Sequence, residues 1–289
     1  MSNLHLFVAC VAIWGTTWLA ITFQLGRVAP DVSVFYRFLL ASLLIFAYCK
    51  WRGLPLRYSP RQHAWIALQG VLMFGVSYIF VYYAEEHVVS ALVAVGYSAS
   101  PLLDMLGMRA FFGTPITRKV ALGSVLGIVG ITLIFWPEIG SSQGPGSFEA
   151  GVTFTAASVL LSSLGSLVAH RNQQEHLPLW QSMAWGMLYA SLFALAWALV
   201  LGKRLDFVPT AAYVLSLVYL AVFGSILAFA SYLTLLKRIG AARSGYIGVM
   251  TPIVALVISA VFESFDWHAL TWLGIAVSVA GNVIILKGK

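Results

Sequence analysis

Asp104 is the one acid that falls clearly inside an apolar run of this sequence, three residues after Pro101 in "YSASPLLDML" (97–106). A carboxylate at the centre of a bilayer costs about 2.5–3.5 kcal/mol on insertion scales, so Asp104 is expected to face protein or water. Three kinds of chemistry fit it. It could carry a proton, meet a cation on a substrate, or bond locally, to backbone or to Arg109, as part of a gate. Pro101 removes a backbone donor and frees the carbonyl four residues earlier, that of Tyr97. Pro252, in "GVMTPIVALV" (248–257), does the same for Gly248. Freed carbonyls are tolerated in lipid only where protein or a wet cavity meets them. Both prolines are therefore expected to kink their helices around a central cavity, with Pro101, Pro252 and Asp104 forming the kink and gate.

Aromatic and hydroxyl residues repeat at helical spacing. Trp14 and Trp18 lie four residues apart with Thr17 beside them, Tyr78 and Tyr82 repeat the interval, and Tyr97 joins them near mid-depth. Together they would line a chamber able to stack on a ligand; singly, each could equally be packing. Ser158, Ser162 and Ser166 form a stripe with Ser163 alongside, and Ser225, Ser231, Tyr232, Ser244 and Tyr246 follow later. Hydroxyls on one face can hold an amino or carboxylate group, and small residues also let helices approach. The substrate-binding set expected from these spacings is Trp14, Thr17, Trp18, Tyr78, Tyr82, Tyr97, Ser158, Ser162 and Tyr246. Arg37, in "YRF", could capture a carboxylate, snorkel outward or pair locally. Trp51, Trp65, Trp136, Trp180 and Trp267 sit at the ends of apolar runs and read as interface anchors.

Enzymatic signatures do not occur. There is no Walker A sequence and no HExxH, the six histidines are scattered, and no carboxylate pair is spaced for catalysis. The chain is expected to be neither an enzyme nor a holder of a metal or cofactor.

The elements that must position these residues are apolar and long. Of 289 residues 60% are hydrophobic and only 9% charged, with a mean hydropathy of +0.89. Runs of about 20 apolar residues, the length that crosses a hydrocarbon core, recur at roughly 4–24, 32–50, 62–83, 88–112, 116–136, 150–170, 178–201, 209–236, 241–263 and 267–286. This predicts an all-α integral membrane protein of ten transmembrane helices. With the N-terminus in the cytoplasm, the inner loops take Lys50, Arg52, Arg57, Arg61, Arg109, Arg118, Lys119, Arg171, Lys237, Arg238, Arg243, Lys287 and Lys289, thirteen of the 17 basic residues. That bias places both termini in the cytoplasm. It also accounts for the net charge of +7 without nucleic acid. Cys10 and Cys49 fall within apolar runs, so no disulfide framework is implied. The stretch "FVAC" (7–10) lacks a basic segment before it and reads as part of an uncleaved first helix.

The chain repeats itself. An offset of 151 residues carries Pro101 onto Pro252, Phe111 onto Phe262, Gly123 onto Gly274 and Gly130 onto Gly281; an offset of 149 carries Phe74-Gly75 onto Phe223-Gly224. "GSSQGPGS" (140–147) separates the copies, giving repeats at 1–139 and 148–289. Five helices per copy is an odd number, so the second enters the membrane inverted, an arrangement that places a binding site near the midplane.

"WGTTW" (14–18), "YRFLLASLL" (36–44), "SALVAVGYSASP" (90–101), "LGSVLGIVGITLIF" (122–135) and "GVMTPIVALVISAVFE" (248–263) together make the chain resemble the drug/metabolite transporter superfamily, in its ten-helix form of two EamA-type domains. The resemblance covers nearly the whole chain. It implies export of small metabolites, amino acids among them, or of drug-like compounds, from a bacterial inner membrane. The family often carries a glutamate after the fourth helix of each repeat; Glu263 supplies it in the second copy, while the first has "FFGT" (111–114). Scarce mid-depth bases argue against sugar-phosphate cargo. Amino-acid export, aromatic amino acids included, is the leading expectation, with a proton-coupled pump for lipophilic cations second and an uncoupled channel third. The expected partners are a small-molecule substrate and the lipid bilayer. A monomer suffices, although Gly123-x-x-x-Gly127 would allow close approach within the bundle or across a dimer.

Overall fold

The protein is described by a computed structural model covering residues 2–116, 118–141, 147–244, 246–262 and 268–286. Among these residues the regular structure is helical throughout. The helices are α1 (Asn3–Thr22), α2 (Pro30–Trp51), α3 (Pro60–Glu85), α4 (Ser90–Phe112), α5 (Arg118–Ser141), α6 (Ser147–Gln174), α7 (Leu179–Val200), α8 (Ala211–Tyr219, continued through Leu220–Leu227 and Ala228–Ser244), α9 (Tyr246–Phe262) and α10 (Ala269–Leu286). Among the described residues, α1–α4 and α6–α8 are long and apolar enough by themselves to cross a membrane, while the apolar stretches 121–134 of α5 and 269–281 of α10 are shorter. Leu44, Val125, Leu160, Val257 and Trp272 stand exposed along the outside of the bundle. A soluble protein avoids such a surface; lipid covers it. The five-residue stretch 142–146 and Glu263 lie outside the described residues.

Helix ends follow local chemistry. Ser59 and Gln62 form a capping box at the start of α3, satisfying two backbone donors reciprocally. Prolines open α2 and α3, where a missing N–H leaves no bond unmade. Gly113 ends α4 in the left-handed region at φ 69°.

The principal contacts are few. α1 lies against α8 and α9, and α6 lies against α3 and α4. α2 meets α7 and α8, and α7 meets α2 and α3. α5 packs on α10 and α4 on α9. Exchanging each helix for the one five places away in the chain leaves this set unchanged. The α5–α10 contact is made through glycine. A Cβ on Gly130 would stand 2.6 Å from the Gly274 carbonyl oxygen, and one on Gly281 would stand 2.5 Å from that of Gly123 and 2.9 Å from the amide nitrogen of Gly127. Gly123 and Gly127 are thus used inside the bundle, and the spacing needs no second chain to explain it.

Two helices depart from regular α geometry at matching places. Val71–Val76 of α3 and Leu220–Leu227 of α8 are π-helical, each around a Phe-Gly pair. A third departure divides α4. All seven residues of Ser90–Gly96 are buried, Tyr97–Ala99 form a 3₁₀ turn, and Ser100–Phe112 contains no buried residue. Pro101 enforces the break, since its ring excludes a bond to the Tyr97 carbonyl. That carbonyl accepts instead from the Ser100 amide, so it is not left free as the sequence suggested. Pro252, its counterpart, sits within the continuous helix α9. Pro101 meets α9 one turn before Pro252: a Cβ on Gly248 would lie 3.7 Å from the Pro101 ring and 3.9 Å from the Tyr97 carbonyl oxygen.

Candidate functional site

A cavity of about 920 Å³, its mouth included, opens between α1, α3, α4, α6, α8 and α9. Six aromatic side chains stand in its walls. The Trp18 and Tyr97 rings lie 5.2 Å apart, Trp14 lies 5.1 Å from Phe229 and 5.4 Å from Tyr232, and Tyr78 lies 6.2 Å from Phe229. Such tilted and edge-on pairs fix one another in place and leave faces turned to the space between.

The π segments position part of this wall. A π turn shifts the backbone register and leaves carbonyls that a neighbour can use. The Trp14 indole donates to the Gly224 carbonyl at 3.2 Å, inside the π segment of α8. Ser158 donates to the Ser77 carbonyl, just after the π segment of α3, at 2.7 Å. With its only hydrogen spent there, the Ser158 oxygen accepts from the Tyr97 hydroxyl at 2.6 Å. A chain Tyr97–Ser158–Ser77 thereby holds the Tyr97 ring against the cavity. Thr17 lines the space too, but its hydroxyl donates back to the Trp14 carbonyl.

Asp104 faces the cavity and accepts from the Ser163 hydroxyl at 2.6 Å. Arg109, a partner considered from sequence, turns instead to the Gly113 carbonyl at 3.1 Å. Three polar atoms of the wall are buried without any hydrogen-bond partner in the protein: Trp18 Nε1, Ser100 Oγ and Thr251 Oγ1. Buried polar groups are nearly always paired, and these three of the unpaired ones lie around one space. Among the described residues no three His, Cys, Asp or Glu side chains gather as a metal site would require.

The structure thus brings Trp14, Thr17, Trp18, Tyr78, Tyr97, Ser162, Pro101, Pro252 and Asp104 to one cavity. Ser158 stands behind Tyr97, fully buried. Tyr82 is also fully buried and apart from the cavity, where its hydroxyl donates to Gln24 at 2.9 Å. The side chain of Tyr246 lies outside the described ones. Phe229, Tyr232, Ser100, Ser163, Ser166, Ser244 and Thr251 are further lining residues that the expected set did not include. Ser166 was in reach, as the next member of the serine stripe. Ser163, Tyr232 and Ser244 carry hydroxyls already noted in the sequence, whereas Phe229, Ser100 and Thr251 follow from how the helices cross, which spacing along one helix does not reveal.

An apolar helical bundle that encloses an aromatic, polar-lined cavity has the build of a solute transporter. The family model described as the EamA-like transporter family matches residues 1–136 and 149–287, and the chain belongs to this family. It is a multi-pass inner-membrane transporter. It is similar to an uncharacterized inner membrane transporter, YedA, of Escherichia coli (28% identity over 97% of this chain and 89% of that one). It is similar also to an uncharacterized transporter, YetK, of Bacillus subtilis (25% over 97% and 86%) and to the protein PecM of Dickeya dadantii (23% over 99% and 92%). A solved crystal structure at 18% identity covers 98% of the chain with a TM-score of 0.72, a likeness of fold.

Proposed function

We propose that the protein exports amino acids, aromatic ones included, by alternating access. In this reading ten helices cross the membrane as two inverted five-helix repeats, 1–139 and 148–289, with both termini cytoplasmic. The observation that carries it is the cavity wall: aromatic faces, one carboxylate, and the unpaired Trp18 Nε1, Ser100 Oγ and Thr251 Oγ1. Such a wall suits a zwitterion with an apolar side chain. The exchange symmetry of the helix contacts, the paired π segments and the reciprocal Gly123–Gly281 and Gly130–Gly274 approaches support the repeat. The buried Ile21 and Val81, with the Tyr82–Gln24 bond beyond them, support closure toward the end where α1 finishes. The unburied second half of α4 supports access from the end where the chain begins.

Purified protein in vesicles preloaded with unlabelled amino acids tests the reading. Saturable counterflow of labelled phenylalanine, competed by other amino acids and absent from protein-free vesicles, is the expected result. Asp104 among aromatic side chains also favours a second reading, efflux of lipophilic cations driven by protons. Dye movement driven by a pH gradient and lost in Asp104→Asn, without amino-acid counterflow, would replace the first reading with the second.

A further inference from the structure

Arg37 of α2 is the largest fully buried side chain among the described residues, and neither of the ion pairs found among them, Arg171–Glu175 and Arg204–Asp206, involves it. Its Nε donates to Ser225 Oγ at 3.0 Å, within the π segment of α8, while Nη1 has no hydrogen-bond partner. The guanidinium lies 4.5 Å from the ring centroid of Tyr78 and 5.3 Å from that of Phe38. An aromatic face softens the burial of a cation. It does not neutralise it, and a membrane-buried charge outside any ion pair found among the described residues is costly to keep. Tyr78 also lines the cavity, so the Arg37 charge stands one ring behind the wall.

Asp31 and Glu85 are buried at the same end of the bundle as Arg37, and the acid of the cavity wall, Asp104, lies deeper along the same space. Arg37 is seven residues from the start of α2 and Tyr78 seven from the end of α3, at the same end of the bundle, whereas Asp104 is fourteen residues beyond the start of α4. At 1.5 Å per residue the backbone positions of Arg37 and Asp104 are about 10 Å apart along the bundle. A small ligand does not bridge that distance; it lies in the field between them.

We propose that Arg37, acting through the face of Tyr78, is the specificity-determining counter-charge of the cavity. With Asp104 it makes the cavity an electric dipole that selects zwitterions and turns their carboxylate toward Tyr78 and their ammonium toward Asp104. The proposal rests on the amino-acid reading above and adds to it an orientation and a residue outside the cavity lining. A unit charge acting over such a distance in a protein interior changes affinity by about tenfold.

The test uses the whole protein in vesicles, with inhibition of labelled phenylalanine counterflow by three unlabelled compounds. These are phenylalanine, its carboxamide at mildly acidic pH (a cation without the carboxylate) and 3-phenylpropionate (the anion without the ammonium). The wild type is expected to favour phenylalanine about tenfold over each of the other two. Arg37→Gln should collapse the preference over the carboxamide to less than threefold and leave the preference over phenylpropionate. Asp104→Asn should do the reverse. Arg37→Lys, which keeps the charge, and Tyr78→Phe, which keeps the ring, should hold the wild-type order and serve where Arg37→Gln does not fold. In that case loss of the carboxamide preference in Arg37→Lys overturns the proposal, as does equal inhibition by all three compounds in the wild type. If Arg37→Gln folds and keeps the full preference, Arg37 acts only as a structural link to Ser225 and the proposal falls. Absence of any amino-acid counterflow in the wild type is a different failure: it overturns the reading on which the proposal stands.

Discussion

Gly70 and Gly186 face each other where α3 crosses α7, yet an added methyl group should be ruinous on one and harmless on the other. A Cβ on Gly70 would fall on the Gly186 carbonyl oxygen, 2.7 Å from its carbon and 2.8 Å from the Gly186 Cα. All three atoms are backbone, so no side chain can turn aside, and the helices must separate by about 1 Å to reach ordinary contact. A Cβ on Gly186 would meet the Phe74 ring at 3.6 Å, Gly70 Cα at 3.7 Å and the Ile66 carbonyl oxygen at 3.7 Å, all normal packing distances. Overpacking costs about 1–3 kcal/mol, and a backbone clash belongs at the upper end. Helix propensity returns about 1 kcal/mol for glycine to alanine at either site. The net is a loss of about 2 kcal/mol for Gly70→Ala and a small gain for Gly186→Ala. With roughly 2–4 °C of melting temperature per kcal/mol in a chain of this order of size, Gly70→Ala should melt about 4–8 °C below wild type and Gly186→Ala at or above it. Cys10 and Cys49 are both fully buried. A maleimide that fluoresces on reaction with a thiol therefore reports unfolding in detergent without an added label. Equal losses in the two variants, or a wild-type melt in Gly70→Ala, would refute the packing of α3 on α7.

Trp18→Ala and Tyr78→Ala, both in the cavity wall, should lower transport at least tenfold at equal expression, while Trp272→Ala, on the outward face of α10, should stay within twofold; uptake in vesicles checks all three. Ser158→Ala leaves the Tyr97 hydroxyl and the Ser77 carbonyl without their partner and should cost about 1–3 kcal/mol, read as a lower melting temperature. Pro101→Ala restores the donor that α4 lacks and should favour a continuous helix, slowing turnover several-fold while leaving half-saturation little changed in counterflow kinetics.

Much of the architecture is legible in the sequence because lipid imposes strong rules. Apolar length places the helices, and the offsets of 149 and 151 residues align Phe74-Gly75 with Phe223-Gly224 and Gly123 with Gly274. The cavity is legible in part for the same reason: Trp14 and Trp18 share a face by spacing alone. Tyr78 and Tyr82 share one too, but spacing along α3 does not say which neighbour covers each turn. Gln24, beyond the last turn of α1, meets Tyr82 and removes it from the space that Tyr78 faces. The Tyr97 carbonyl shows another limit. Proline dictates that its α-helical partner is missing, but not that a 3₁₀ turn from Ser100 supplies another. Arg37 shows a third, since a lone arginine in an apolar run is silent about whether it snorkels outward or is shut behind a tyrosine.

The mirrored prolines bear most directly on mechanism, because like positions have adopted unlike shapes. Pro101 breaks α4 into a buried first half and an unburied second half, whereas Pro252 is held in an unbroken α9. The helices lie together here, with Gly248, one turn before Pro252, beside the Pro101 ring at ordinary packing distance. Two copies of one motif in different conformations, in contact beside a single cavity, are what alternating access requires on the proposed reading: exchange of the two shapes would seal one mouth and open the other. Asp104 breaks the symmetry, since its counterpart Ala255 carries no charge. On the proposed reading, whatever the carboxylate holds moves with α4, whose broken half has no charged mirror image.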